Sequence, residues 1–87
     1  MKILASARKH GVTNRSINHA FTHLLGRFDM GDEEPPIRYL VFGPDVAGNI
    51  IELIVVVLDD GSEMTIHAMP IRSRYLYLLP RPGDLDA

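Results

Sequence analysis

The apolar positions of this 87-residue chain follow different rhythms in different stretches, and each rhythm predicts an element. After Thr13, the residues Ile17, Ala20, Phe21, Leu24 and Leu25 recur at helical spacing, which predicts an amphipathic helix. Thr13 is a suitable N-cap, Val12 can staple onto Ile17, and Gly26 ends the element. The polar face of that helix carries Arg15, His19, Thr22 and His23. Between Ile50 and Leu58 the periodicity disappears. The run is almost all Ile, Leu and Val, with one charge at Glu52, and predicts a strand covered on both faces. Asp59-Asp60-Gly61-Ser62 predicts a tight turn. From Glu63 to Met69 the pattern alternates, placing Met64, Ile66 and Ala68 on one face and Glu63, Thr65, His67 and Met69 on the other. Ile50 to Met69 therefore reads as the central hairpin of the chain.

The weaker patterns fill in around it. Ile3, Leu4 and Ala7 fit one face of a short N-terminal helix closed by Gly11, with an edge strand over Ile3–Ala5 as the alternative. Phe28 to Pro36 is acidic, contains Gly31 and ends in Pro35-Pro36, so it reads as a loop. Ile37 to Phe42 alternates as a strand, and the turn-forming stretch Gly43 to Asn49 joins it to the hairpin. Ile71, Tyr75, Leu78 and Leu79 recur at helical spacing after Pro70. This terminal helix is broken by Pro80-Arg81-Pro82-Gly83 and followed by a frayed tail, Asp84 to Ala87. The expected architecture is one α+β domain over residues 1–87. It is a three-stranded antiparallel β-sheet, a meander, flanked by two N-terminal helices and one C-terminal helix.

Composition narrows the class. The chain has no cysteine, which excludes a disulfide framework and a thiolate metal site and fits a reducing cytoplasm. No apolar run approaches the roughly 20 residues of a membrane helix, and basic residues interrupt the N-terminus before a signal-peptide core forms. A cytoplasmic protein without a membrane partner is expected. The net charge of −2 hides a segregation: Met1 to Arg27 holds five Lys and Arg and no acid, whereas Phe28 to Pro36 holds four acids and no base. Such clustering can serve a polyanion or simply a solvated surface of mixed sign.

The candidate chemistry lies at the basic and imidazole positions. His67 stands in a strand beside apolar neighbours and can act as a general acid or base, or as a hydrogen-bonded histidine of a half-exposed sheet face. Arg38, Arg72 and Arg74 can hold phosphate through bidentate hydrogen bonds, or can bridge to the acidic loop. Tyr75 can stack on a base or join the core. His19 and His23 share a helix face at metal-ligand spacing, but with no third ligand in view they read as polar-face histidines, and no metal or other cofactor is expected. No phosphate-binding glycine loop or Ser-His-Asp arrangement is present. The acids Asp45, Glu52, Asp59, Asp60 and Glu63 read mostly as turn residues and give no paired-carboxylate site.

Three segments together resemble BrnT-like toxins of the RelE-like superfamily. Arg8-Lys9-His10-Gly11-Val12 before a helix is similar to their "KHGV" entry. The strand, glycine turn and Ile/Val strand ending in Asp-Asp-Gly are similar to their central meander. Thr65 to Met69, followed by Arg72, Arg74 and Tyr75, is similar to their "ISAR" strand and next helix. The resemblance covers about Arg8 to Leu79. It implies a toxin of a type II toxin–antitoxin pair: a metal-independent endoribonuclease that cleaves messenger RNA. A cognate antitoxin, often of ribbon-helix-helix type, would neutralise it, and a homo-oligomer is compatible. It also implies a site in which His67 is the acid or base, Arg72 and Arg38 bind phosphate, and Lys9, His10, Arg74 and Tyr75 engage RNA. Where the family strand reads Ser-Ala-Arg, this chain has His67-Ala68-Met69, so a thioether replaces a guanidinium. The same fold acting as a non-catalytic module that binds a partner chain is the alternative expectation.

Overall fold

In a computed structural model that describes residues 1–80, a five-stranded sheet carries one α-helix on one face. The strands are β1 (Lys2–Ile3), β2 (Gly26–Asp29), β3 (Ile37–Pro44), β4 (Ile50–Val57) and β5 (Glu63–Pro70). Their spatial order is β1-β5-β4-β3-β2, with β1 parallel to β5 and every other pair antiparallel. The three expected strands are its centre, but the three-stranded meander with three flanking helices is not the fold. Two further strands extend the sheet, and among the described residues only α1 (Asn14–Thr22) is an α-helix.

Each departure has a local cause. The expected N-terminal helix is instead β1 followed by a 3-10 turn over Ala5–Arg8. The polar β5 edge captures the chain: Leu4 N–H donates to the Thr65 carbonyl (3.0 Å) and Ser6 Oγ–H to the Ile66 carbonyl (2.8 Å). So short a segment gains little from helix formation, because nucleation is unfavourable. Gly26, expected to end α1, is the first residue of β2, which runs into the predicted acidic loop. The segment after β5 is a 3-10 helix over Ser73–Leu78, not an α-helix. The Pro-Arg-Pro-Gly stop beyond Pro80 and the expected tail lie outside the described residues.

The elements with strong sequence signals form as their chemistry requires. Thr13 caps α1 by accepting from Ser16 N–H at 3.1 Å. The β4–β5 hairpin closes through Leu58–Ser62, where Gly61 takes φ +82° and Asp60 accepts from the Ser62 amide. Ile17 and Ala20 of α1 pack on Val41, Ile51, Leu53, Val55 and Ala68, all at 2 % exposure or less. Gly43 lets the helix come this close, since a methyl at that position would collide with the Ala20 carbonyl.

A β-bulge changes which residues share a face. Leu53 pairs with Ala68 and Ile54 with His67, but Val55 pairs with Thr65, so Ile66 is the extra residue. The simple alternation expected for β5 is therefore broken. Thr65 joins Ala68 on the helix side, where both are fully buried, while Met64 stands with His67 and Met69 on the other side. That second face, built from Phe42, Glu52, Ile54, Val56 and His67, is the one the 3-10 segment after β5 crosses: Tyr75 packs on Phe42 with ring centroids 5.9 Å apart. No helix among the described residues is long and apolar enough to cross a membrane.

Candidate functional site

At the centre of the second face lies a buried carboxylate. Glu52 projects from the middle of β4, beside Phe42 on β3 and Met69 on β5, and its side chain is fully shielded from solvent. An ionised group in such a place must be neutralised by partners. Two arrive from the end of β5 and the segment after it. His67 Nε2 lies 3.0 Å from Oε1. Arg72 donates its backbone N–H to Oε2 (3.1 Å) and its Nε to Oε1 (2.9 Å), with Nη2 also 2.6 Å from Oε1. Burial pushes the Glu52 pKa up, but the hydrogen bonds from Arg72 and His67 outweigh it and leave the carboxyl below its ordinary 4.5. The same contact raises the Arg72 guanidinium further.

This arrangement fixes the tautomer of a neutral His67 ring. A carboxylate can only accept, so Nε2 carries the hydrogen toward Glu52 and the lone pair of the neutral ring is on Nδ1. No hydrogen bond to Nδ1 is found among the described residues, and the His67 side chain keeps 22 % of its surface exposed. A carboxylate that orients an imidazole and leaves its other nitrogen free is the arrangement of a general base. His10 stands next to it, with ring centroids 5.6 Å apart and planes at 75°. The 3-10 turn at the N-terminus places His10 there by docking on β5.

The other expected residues separate into two groups. Lys9 and His10 are exposed and adjacent at the end of the N-terminal turn. Arg74 is exposed, with its guanidinium carbon 4.9 Å from the Tyr75 ring centroid, and Arg72 lies 5.3 Å from the same ring. His10 and Arg72 are the two that reach the cluster, His10 beside the His67 ring and Arg72 on Glu52, while Arg74 accompanies Tyr75 over Phe42. Arg38 does not reach it. It lies four residues along β3 from Phe42, which is roughly 13 Å at about 3.3 Å per residue. It is also gripped by Asp32 of the acidic loop through its backbone N–H, Nε and Nη2. The bridge to the acidic loop is thus the arrangement found for Arg38.

Glu52 is not among the site residues expected from the sequence, where it reads with the other hairpin acids as giving no paired-carboxylate site. A signal was present: a lone acid inside an eight-residue apolar strand has to find a cation, and the neighbouring strand ends in His67 with Arg72 just beyond. A hollow of about 520 Å³ lies elsewhere, between Met1, Lys2, Phe21 and the Leu58–Met64 turn. It contains no imidazole, so the chemistry points to the Glu52 cluster instead. No group of three or more metal-ligating side chains is found among the described residues. No protein-family model, curated protein or solved structure matches the chain.

Proposed function

We propose that the Glu52–His67–Arg72 cluster, with His10, is the acid–base centre of an endoribonuclease acting as the toxin of a toxin–antitoxin pair. The observation that carries the reading is the orientation of His67: its Nε2–H is held by a buried carboxylate and its Nδ1 is left for a proton in transit. In this scheme Nδ1 takes the proton of a ribose 2′-hydroxyl. The 2′-oxygen attacks the adjacent phosphorus and the bond to the 5′-oxygen breaks. His10, protonated, gives its proton to that leaving oxygen, and the products are a 2′,3′-cyclic phosphate and a 5′-hydroxyl end. Two imidazoles 5.6 Å apart can serve the two ends of such a displacement. Arg72 binds Glu52 through Nε and Nη2, which leaves Nη1 for a phosphate oxygen. Lys9 and Arg74 add positive charge, and Tyr75, packed on Phe42, carries the Arg72 and Arg74 guanidinium groups against its ring. Arg38 stands outside this set. The toxin assignment and the antitoxin partner are supported by the resemblance of the KHGV and IHAM segments to BrnT-like chains.

The test uses purified protein and a fluorescent RNA oligonucleotide, with a matched substrate carrying 2′-deoxyribose throughout. The expected result is cleavage of the RNA only, and a loss of at least about a hundredfold in rate for His67→Ala. Equal cleavage of both substrates would remove the 2′-hydroxyl mechanism, and undiminished cleavage by His67→Ala would remove His67. No cleavage by the wild-type protein, together with no growth arrest on expression, would favour a second reading, a module that binds a partner chain. That reading is supported by β2, a sheet-edge strand whose outer side is open for strand addition among the described residues.

A further inference from the structure

Strand β2 forms one edge of the sheet, and no strand among the described residues lies beyond it. The opposite edge, β1, is two residues long and offers little to pair with. Met30 N–H donates to the Arg38 carbonyl at 3.3 Å, in register with the β2–β3 ladder. Antiparallel bonding alternates along a strand, so Phe28 and Gly26 also turn their backbone groups toward β3, and Arg27 and Asp29 turn theirs outward. The Arg27 and Asp29 side chains are exposed and share the α1 side of the sheet with Val41. Phe28 points to the other side, where its ring lies over Gly26 and beside Phe42. Neither Arg27 nor Asp29 has an ion-pair partner among the described residues. The Arg27 guanidinium carbon rests 3.9 Å from the Tyr39 ring centroid, and Asp29 accepts from Gly31 N–H at 2.7 Å.

We propose that two copies of this chain associate by antiparallel pairing of their β2 strands about a twofold axis at Phe28. Only Arg27 and Asp29 carry outward backbone groups, so the hydrogen-bonded registers are those that set these positions against each other. A twofold at Arg27 would place two guanidinium groups opposite each other, and a twofold at Asp29 two carboxylates. With the axis at Phe28, Arg27 of each copy stands opposite Asp29 of the other. Both pairs then have opposite charge, and their amides and carbonyls bond reciprocally. The two Phe28 residues face each other in a non-hydrogen-bonded pair, where side chains come closest. The charge segregation of the chain changes sign at the same place: Arg27 closes the acid-free stretch from Met1, and Phe28 opens the base-free stretch to Pro36. The axis therefore lays the basic approach to one strand against the acidic exit from the other. Such pairing is isologous, so it covers both open edges and stops at two copies. It does not rest on the ribonuclease reading, because Arg27, Phe28 and Asp29 take no part in the acid–base centre.

Sedimentation equilibrium of the full chain over roughly a hundredfold range of concentration tests the proposal, and a reversible monomer–dimer equilibrium is expected. Arg27→Glu and Asp29→Arg each make both cross-strand pairs repulsive, and each should weaken association by about tenfold or more. Mixing the two single variants restores opposite charge at both pairs. The mixture should dimerise at concentrations where each component alone is monomeric. A variant that had merely failed to fold would gain nothing from mixing, so the two causes of lost association are separated. The chain has no cysteine, so Phe28→Cys supplies a single thiol at the axis. Under an added oxidant it should form a covalent dimer faster than Val46→Cys, an exposed position in the β3–β4 turn. A monomer at every concentration, a dimer indifferent to both charge substitutions, a mixture no more associated than its components, or equal cross-linking at the two positions overturns the proposal.

Discussion

Two arginines in this protein grip a carboxylate in nearly the same way and in opposite surroundings. Arg38 offers its backbone N–H, Nε and Nη2 to Asp32, and Arg72 offers the same three groups to Glu52. The Asp32 pair is local, six residues apart, and open to water: the side chains are 47 % and 25 % exposed. The Glu52 pair joins residues twenty apart, and its carboxylate is fully shielded. The difference teaches that an ion pair's geometry does not state its worth. In water the attraction is screened and competes with good solvation of the separated ions. In the sheet face the carboxylate has no water to return to, so its partners hold the local structure together.

The sharpest way to break this contrast is Glu52→Ala. It opens a cavity on the second face and leaves Arg72 and His67 without their shared acceptor, and it is expected to destabilise the fold by about 3 kcal/mol. In a domain of this size that lowers the melting temperature by roughly 10–20 °C, measurable by calorimetry.

Arg72→Ala is next, and its signature lies in pH dependence. In the wild type the Glu52 pKa is depressed below 4.5, so its stabilising contribution is full above about pH 4.5 and is lost as the pH falls through the folded value. Without Arg72 the burial penalty is no longer outweighed, and the carboxyl is expected to sit above 4.5, which reverses the sign. The variant should then be much less stable than the wild type at pH 7, with the gap narrowing toward pH 5. Urea unfolding at three pH values would show it, and a gap constant with pH would mean that Arg72 acts by packing alone.

His67→Ala should have a smaller effect on folding, about 1 kcal/mol for one hydrogen bond, because Arg72 still holds Glu52. Its large effect is expected on RNA cleavage, and a variant that lost stability but kept its rate would reduce His67 to a structural partner. Smallest of all is Asp32→Asn. Its carboxyl is also held low by Arg38, but in an exposed place, so thermal melts should not resolve the change.

The parts of the fold legible in the chain are those whose signal is local. Thr13 and the Ile17, Ala20, Phe21 spacing locate α1, and the Ile/Val run with Asp60-Gly61 locates the hairpin. The parts that were not legible depend on pairing across the chain. At the N-terminus the edge strand was only the alternative to a helix, and it forms over Lys2–Ile3 because β5 offers a parallel edge. Gly26–Asp29 is too short to announce itself beside a helix end and an acidic loop. In the candidate site, His67 and Arg72 stood out by residue type, whereas Glu52 was hidden by its apolar neighbours and Arg38 looked equivalent to Arg72.

The sequence by itself determined that a hydrophobic hairpin lies at the centre, that an amphipathic helix follows Thr13, and that imidazole and guanidinium groups lie in and just after the second arm. Tertiary structure alone decided which of those groups work together. One extra residue at Ile66 sets the faces of β5, bringing Thr65 under the helix and leaving Met64 and His67 on the opposite side. The strand register then lays Glu52 beside Met69, within reach of His67 and Arg72, while Arg38 remains farther along β3 with Asp32. Side-chain type is a property of one position, but the pairing of a buried charge depends on register, and register is settled only when the whole sheet has closed.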